Sequence, residues 1–255
     1  MTEKVIVITG ASSGIGAALA KQLAARGDKL MIAARRAQEL RQMARSCGRD
    51  TLPYVTDVTR RQDVNRLRDE AIRTFDHVDV WINNAGRGIS RPVLELTDED
   101  FDEIMAVNVK SALYGMQAIL PHFKERGAGH LINVSSALGR IPFASVRSVY
   151  SAAKAALNSL TANLRMDLHA EYPNIHVSLV MPGVVSTDFA RNVLYANPEG
   201  GAPGMAGQTP EEVAATIVDL IDNPRPELYT NSSQAETVVR YFTDVAAFEE
   251  GMGRR

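Results

Sequence analysis

Short runs of aliphatic, mostly β-branched residues alternate along the chain with stretches whose apolar residues recur every three or four positions. This alternation restricts the fold more than any other feature of the sequence. Val5–Thr9 is apolar almost throughout and ends at a glycine, so it reads as a strand buried on both faces. Ile15, Leu19 and Leu23 then follow at helical spacing up to a stop at Gly27. Strands are expected again at Leu30–Ala33, Thr51–Val55, Asp79–Ile82, His130–Val134 and His176–Met181, with a short one near Glu227–Thr230. Helices are expected over Ala37–Cys47, Arg60–Phe75, Phe101–Lys124, Val149–Glu171 and Pro210–Asp222, and from Ala235 onward. Thr97-Asp-Glu-Asp100 has the pattern of a helix start, with Thr97 as cap and carboxylates in the first turn. Strand-helix alternation with continuous apolar strands predicts an α/β fold, a parallel sheet with helices on both faces. No linker or internal repeat interrupts the pattern, so a single domain is expected over residues 1–255.

Composition removes several classes of function. A net charge of −2 gives no general electrostatic attraction to nucleic acid or to an anionic membrane surface. Cys47 is the only cysteine, which excludes an internal disulfide and disfavours a thiolate metal site. His77, His122, His130, His169 and His176 include no i,i+4 pair; they are expected at surface positions, and no metal site is expected. The apolar runs are too short to span a bilayer, and the first residues lack the pattern of a signal peptide. A cytoplasmic enzyme or binding protein acting on a small molecule is the expectation that remains.

The first strand leads into Thr9-Gly10-Ala11-Ser12-Ser13-Gly14-Ile15-Gly16 and then into a helix. Glycines at 10, 14 and 16 allow a tight turn, close backbone approach to a ligand, and close packing of helix on strand. The helix start supplies free N–H groups and partial positive charge suited to a pyrophosphate. No Gly-Lys-Ser/Thr follows, so this is not a Walker-type ATP loop, and no Gly-x-Ser-x-Gly elbow marks a serine hydrolase. Tyr150 and Lys154 lie four apart on an alanine-rich helical stretch, which places them one above the other on one face.

Taken together, the glycine turn, Asn83-Asn84-Ala85-Gly86, Tyr150-x-x-x-Lys154 and Pro182-Gly183, in this order, resemble the shorter branch of the short-chain dehydrogenase/reductases. The resemblance runs from about Lys4 to Asp188 and implies a Rossmann-type, doubly wound parallel sheet of about seven strands. It implies hydride transfer between a nicotinamide and a carbonyl or secondary alcohol, with Tyr150 as general acid/base. Lys154 is then expected to lower the phenol pKa and hold the nicotinamide ribose, and Ser136 to donate to the substrate oxygen. Because the Ser136–Tyr150 spacing is one residue longer than the family pattern, Ser135 stays open as the alternative. Asn108 is expected to complete the tetrad through a water leading from Lys154.

The same resemblance places the cofactor along the glycine turn (Gly10, Ser12, Ser13, Gly14, Ile15, Gly16) and against Asp57 and Val58. It adds Asn83, Ala85 and Gly86 near the adenosine, and Pro182, Gly183, Val185 and Thr187 near the nicotinamide. Asp57 could equally be a helix cap. After the second strand, Ala34 stands where an NAD site carries an acid, and Arg35 and Arg36 follow. Guanidinium groups there favour a 2′-phosphate, so NADP(H) is expected over NAD(H), with Arg35 as the pairing residue. The alternatives are the same chemistry with NAD, and a non-catalytic NADP-binding regulator or scaffold. Residues 191–208, rich in glycine and proline, are expected to be mobile inside a substrate-covering loop at 189–209. Phe143, Val146, Phe189, Leu194 and Tyr195 are candidate pocket residues. Leu113, Met116, Ile119, Leu157, Leu160 and Leu164 spread over more than one helix side, and with the resemblance this implies a homodimer or homotetramer.

Overall fold

The computed structural model describes residues 3–187, 193–195 and 207–253. Seven strands form one sheet: β1 (Val5–Thr9), β2 (Lys29–Ala34), β3 (Thr51–Val55), β4 (Val80–Asn83), β5 (Gly129–Val134), β6 (Ile175–Met181) and β7 (Glu227–Tyr229). They lie in the order β3-β2-β1-β4-β5-β6-β7, and all six pairings are parallel. The chain winds outward from β1 to β3, returns to place β4 on the other side of β1, and winds outward again to β7. This is the doubly wound Rossmann-type arrangement in a single domain.

The continuous apolar strands are explained by two cores. Ile6 and Ile8 of β1 face one core with Leu19, Leu23, Leu40, Ile217 and Leu220, supplied by α1 (Gly14–Arg26), α2 (Ala37–Cys47) and α7 (Pro210–Asp222). Val5 and Val7 face the other with Leu67, Ile119, Phe123 and Leu157, supplied by α3 (Arg61–Phe75), α5 (Ser111–Arg126) and α6 (Ser148–His169). Successive strand residues point to opposite faces, so a strand covered on both sides has no polar alternation to show. The remaining helices are α4 (Asp98–Met105), α8 (Ser233–Thr243) and α9 (Val245–Gly253). Thr97 caps α4 as expected: its hydroxyl accepts from Asp100 N at 3.2 Å, while the Asp100 carboxylate accepts from Thr97 N at 3.2 Å.

Two expectations need correction. The single helix expected over Phe101–Lys124 is two helices, α4 and α5, joined by a π-helical turn at Ala106–Lys110. The Asn108 amide donates to the Ile104 carbonyl at 3.0 Å, and the Ser111 hydroxyl to the Val107 carbonyl at 2.5 Å. Side chains thus occupy carbonyls that a regular helix would give to its own amides, and the ladder widens. His130, expected at the surface, is only 5% exposed. Ser178 donates to the Arg225 carbonyl, so the His130 ring nitrogen, 2.8 Å away, is the donor to Ser178. Burial, followed by the neighbouring charge of His176, pushes the His130 pKa down to about 3.

Candidate active site

The reversal of winding leaves β1 and β4 side by side with their connections departing to opposite halves of the sheet. Such a switch point opens a crevice at the carboxyl ends of the strands. The glycine turn follows β1 at this edge. Gly10 has φ +69°, and a Cβ there would lie 2.8 Å from Ala85 Cα. A Cβ on Gly16 would meet both Asn84 Nδ2 and the Gly10 carbonyl at 2.5 Å. Only glycine fits either position. The turn is held from β4: Asn84 Nδ2 donates to the Thr9 carbonyl at 2.9 Å, and the amides of Asn84 and Ala85 donate to Thr9 Oγ1.

Other residues expected at the cofactor surround this turn. Ser12, Ser13 and Gly14 lead into α1, and Ile15 packs on the first core. Arg36 reaches back over the turn, with Nη2 3.0 Å from Ser12 Oγ and 2.9 Å from Ser13 Oγ. Arg35 is exposed beside it. Asp57 is not the cap of α3; its Oδ1 accepts from the Thr59 amide and hydroxyl, closing a turn before that helix. Val58 is buried next to it. The Asn83 side chain serves the fold, accepting from Trp81 Nε1 at 2.8 Å and donating to the Ala112 carbonyl and Asn133 Oδ1. Any ligand contact from Asn83 therefore falls to its main chain. Across the crevice, Pro182 O accepts from Ala137 N, Val185 bridges to Gln208, and Thr187 approaches Gly14.

Deeper in the crevice, β5 delivers Ser135 and Ser136, and α6 delivers Tyr150 and Lys154. The two serines are separated in role. Ser135 Oγ donates to Asn158 Oδ1 at 2.5 Å, inside the fold. Ser136 hydrogen-bonds the Tyr150 hydroxyl instead. Lys154 is 3% exposed and donates from Nζ to the Val134 carbonyl at 3.0 Å, the one hydrogen bond of its ammonium among the described residues. Gly86 stands between Lys154 and Asn108: a Cβ there would lie 3.5 Å from Lys154 Nζ and 3.0 Å from Asn108 Oδ1. Asn108 is itself fixed by the Arg87 main chain, donating to its carbonyl at 2.8 Å and accepting from its amide at 3.3 Å. Ser136, Tyr150, Lys154 and Asn108 are thus brought to one place by three different elements: the end of β5, α6 and the π turn.

The electrostatics depart from the expectation of a lowered phenol. Burial pushes the Tyr150 pKa up to about 12, and the hydrogen bond from Ser136 and the charge of Arg147 offset this only in part. Burial also pushes the Lys154 ammonium down to about 8. The Lys154 ammonium lies 5.6 Å from the Tyr150 ring centre. At neutral pH the phenol is protonated.

At the rim, Ile89 bridges to Leu194 and Arg91 to Arg147, so residues 88–91 lie between the segment before α6 and the described root of the 189–209 loop. Tyr195 is stacked by the Arg91 guanidinium at 3.8 Å and Val146 is 44% exposed, so both are rim residues. Phe143 is half-buried. Phe189 and most of the 191–208 segment lie outside the described residues. One contact was not anticipated: Gln234 of α8 lies against Gly183, where a Cβ would come 2.0 Å from its Nε2. Only the glycine itself could have hinted that another segment crosses there.

Residues 4–197 match the short chain dehydrogenase family, and the chain belongs to it. It is 33% identical to an uncharacterized oxidoreductase of Bacillus subtilis, YxnA, over 93% of this chain and 68% of that one. A second uncharacterized oxidoreductase, Lin0452 of Listeria innocua, is 34% identical over 87% and 91% of the two chains. Among solved structures, a short-chain dehydrogenase/reductase from Burkholderia phymatum in complex with NAD has a TM-score of 0.86 at 27% identity, covering 96% of this chain and 95% of that one. The serine dehydrogenase of Escherichia coli has a TM-score of 0.76 at 26% identity, covering 88% and 96%.

Proposed function

We propose that this oxidoreductase binds NADP(H) and transfers hydride between its nicotinamide and a carbonyl or secondary alcohol, with Tyr150 as the proton donor and acceptor. The observation that carries the reading is the hydrogen bond between Ser136 and the Tyr150 hydroxyl, with buried Lys154 on the same helix face. Two features fit a dinucleotide: the glycine turn excludes any Cβ at positions 10 and 16, and the buried Lys154 ammonium spends one of three N–H donors inside the protein. When bound, the cofactor supplies the hydride. Ser136 and Tyr150 point their hydroxyls at one substrate oxygen, and the protonated phenol delivers the proton as charge develops there. Lys154 steadies the resulting phenolate and holds ribose hydroxyls, and Asn108 fixes the wall beside it. Related structures have been solved with NAD and with NADP+. Arg36 over Ser12 and Ser13, beside Arg35 and with no acid at Ala34, supports NADP(H) here.

One accompanying feature belongs to the same reading. The chain assembles as a homodimer or homotetramer through the partly covered faces of α5 and α6, where Leu113, Leu160 and Leu164 are only half-buried. The test is Tyr150→Phe. Turnover of a carbonyl panel with NADPH should fall by about 10²–10⁴-fold while NADPH affinity is kept. A variant that retains most of its activity overturns the mechanism.

A further inference from the structure

Four arginines lie on the loops that border the candidate site, and three have acidic partners. Arg87 pairs with Glu103, Arg91 with Asp100 at 2.5 Å, and Arg140 with Glu227 at 2.6 Å. Arg147 is the exception: among the described residues it has no carboxylate partner. The one hydrogen bond of its guanidinium there runs from Nη1 to the Ile89 carbonyl at 3.0 Å. The residue immediately precedes α6, three positions before Tyr150, and it faces the rim segment 88–91 that is bridged to Leu194. Its guanidinium and the Tyr150 phenol act on one another electrostatically, so the charge lies near the proposed proton donor.

A half-buried cation without a counter-ion costs stability, because desolvation is not offset by a partner. Desolvation holds this guanidinium below the usual arginine range, though it stays charged at neutral pH. A carbonyl oxygen uses one of its five N–H donors and neutralises none of its charge. With the other three rim arginines neutralised, the rim offers one guanidinium charge without a carboxylate. That matches a carboxylate, which a guanidinium binds through two parallel hydrogen bonds, better than a doubly charged phosphate.

We propose that Arg147 anchors a carboxylate of the substrate, so that the carbonyl compound reduced at Tyr150 is an oxo acid and the alcohol formed is the corresponding hydroxy acid. This rests on the oxidoreductase reading for the reacting end of the molecule, and on Arg147 alone for the other end. Hydride reaches the carbonyl carbon from NADPH, the proton reaches its oxygen from Tyr150, and the carboxylate is unchanged.

The experiment compares short 2- and 3-oxo acids with their methyl esters. The parent enzyme should favour the acids. Arg147→Met should raise KM for them by about 10–100-fold while KM for the esters stays nearly constant; any change in kcat from losing the charge near Tyr150 should be the same for acid and ester. Arg147→Lys should recover part of the loss. Equal KM changes for acids and esters, or a parent enzyme that favours the esters, would overturn the assignment. Binding without turnover separates this proposal from the mechanism. Calorimetric titration of the oxo acids into NADPH-saturated Tyr150→Phe should show binding that Tyr150→Phe/Arg147→Met lacks. If it does while the parent turns over no carbonyl, Arg147 is the anchor and the reductase reading falls. If no acid binds, the Arg147 assignment falls, whatever neutral carbonyls the enzyme reduces.

Discussion

Replacing Lys154 by methionine should make the protein more stable at neutral pH while abolishing its proposed function. The side chain is 3% exposed, and burial lowers its ammonium from 10.5 to about 8. The unfolded chain therefore keeps the proton up to pH 10.5, and the folded protein only up to about 8. Between these values the unfolded state binds more protons, so stability rises with pH. Below pH 8 the parent carries the whole penalty, about 3 kcal/mol at roughly 1.4 kcal/mol per pH unit. Methionine fills similar space without charge, but forfeits the bond to the Val134 carbonyl, about 1 kcal/mol. The net gain is about 2 kcal/mol, or roughly 4–8 °C in Tm for a chain of this size. Scanning calorimetry at matched protein concentration should show that gap at pH 7, and most of it should close by pH 9.5. Two results would refute the reasoning: a variant less stable than the parent at pH 7, or a gap of the same size at both pH values.

Among the remaining predictions, Arg36→Ala should narrow the preference for NADPH over NADH by roughly 10–100-fold, and Arg35→Ala by less, because Arg36 is the one drawn over Ser12 and Ser13. Dissociation constants from cofactor fluorescence decide it; a parent protein with equal affinities defeats the NADP assignment. Gly115→Ala should cost about 1–3 kcal/mol by overpacking, since its Cβ would fall 2.2 Å from Asn83 Oδ1 and 2.7 Å from Trp81 Nε1. An unchanged urea midpoint would show that this corner yields. Light scattering should find a dimer or tetramer; a monodisperse monomer of 27.8 kDa would end the assembly reading.

The sequence made the sheet legible because its signals were local: apolar runs ending in glycine, helical spacing, and Thr97 and Thr209 at helix starts. The site was legible as motifs, since Tyr150 and Lys154 share a helix face wherever that helix packs. Features set by packing were not legible. Nothing in Ser135-Ser136 tells which hydroxyl turns to Tyr150; Asn158, 22 residues further on, decides it by taking Ser135. Nothing local separates Arg35 from Arg36, because the choice depends on where the glycine turn lies. His130 could not be recognised as buried, because its partner Ser178 sits on the neighbouring strand. The burial that raises the Tyr150 phenol was not legible for a related reason: spacing places Lys154 on the same helix face but says nothing of how deeply the ring is buried.

The π turn at Ala106–Lys110 changes how differences in length among relatives should be read. Such a turn holds about one residue more than an α turn, while the helices on either side keep their faces. Removing one residue there would let α4 and α5 run together as a single regular rod, with Ile104 and Ile119 still buried where they are. What would be lost is the widened spot from which Asn108 grips the Arg87 main chain beside Lys154. A single missing codon inside a helix usually signals damage to the scaffold. At this place it would leave the scaffold intact and erase one part of the wall of the candidate site, so a one-residue gap here separates relatives by that site and not by architecture.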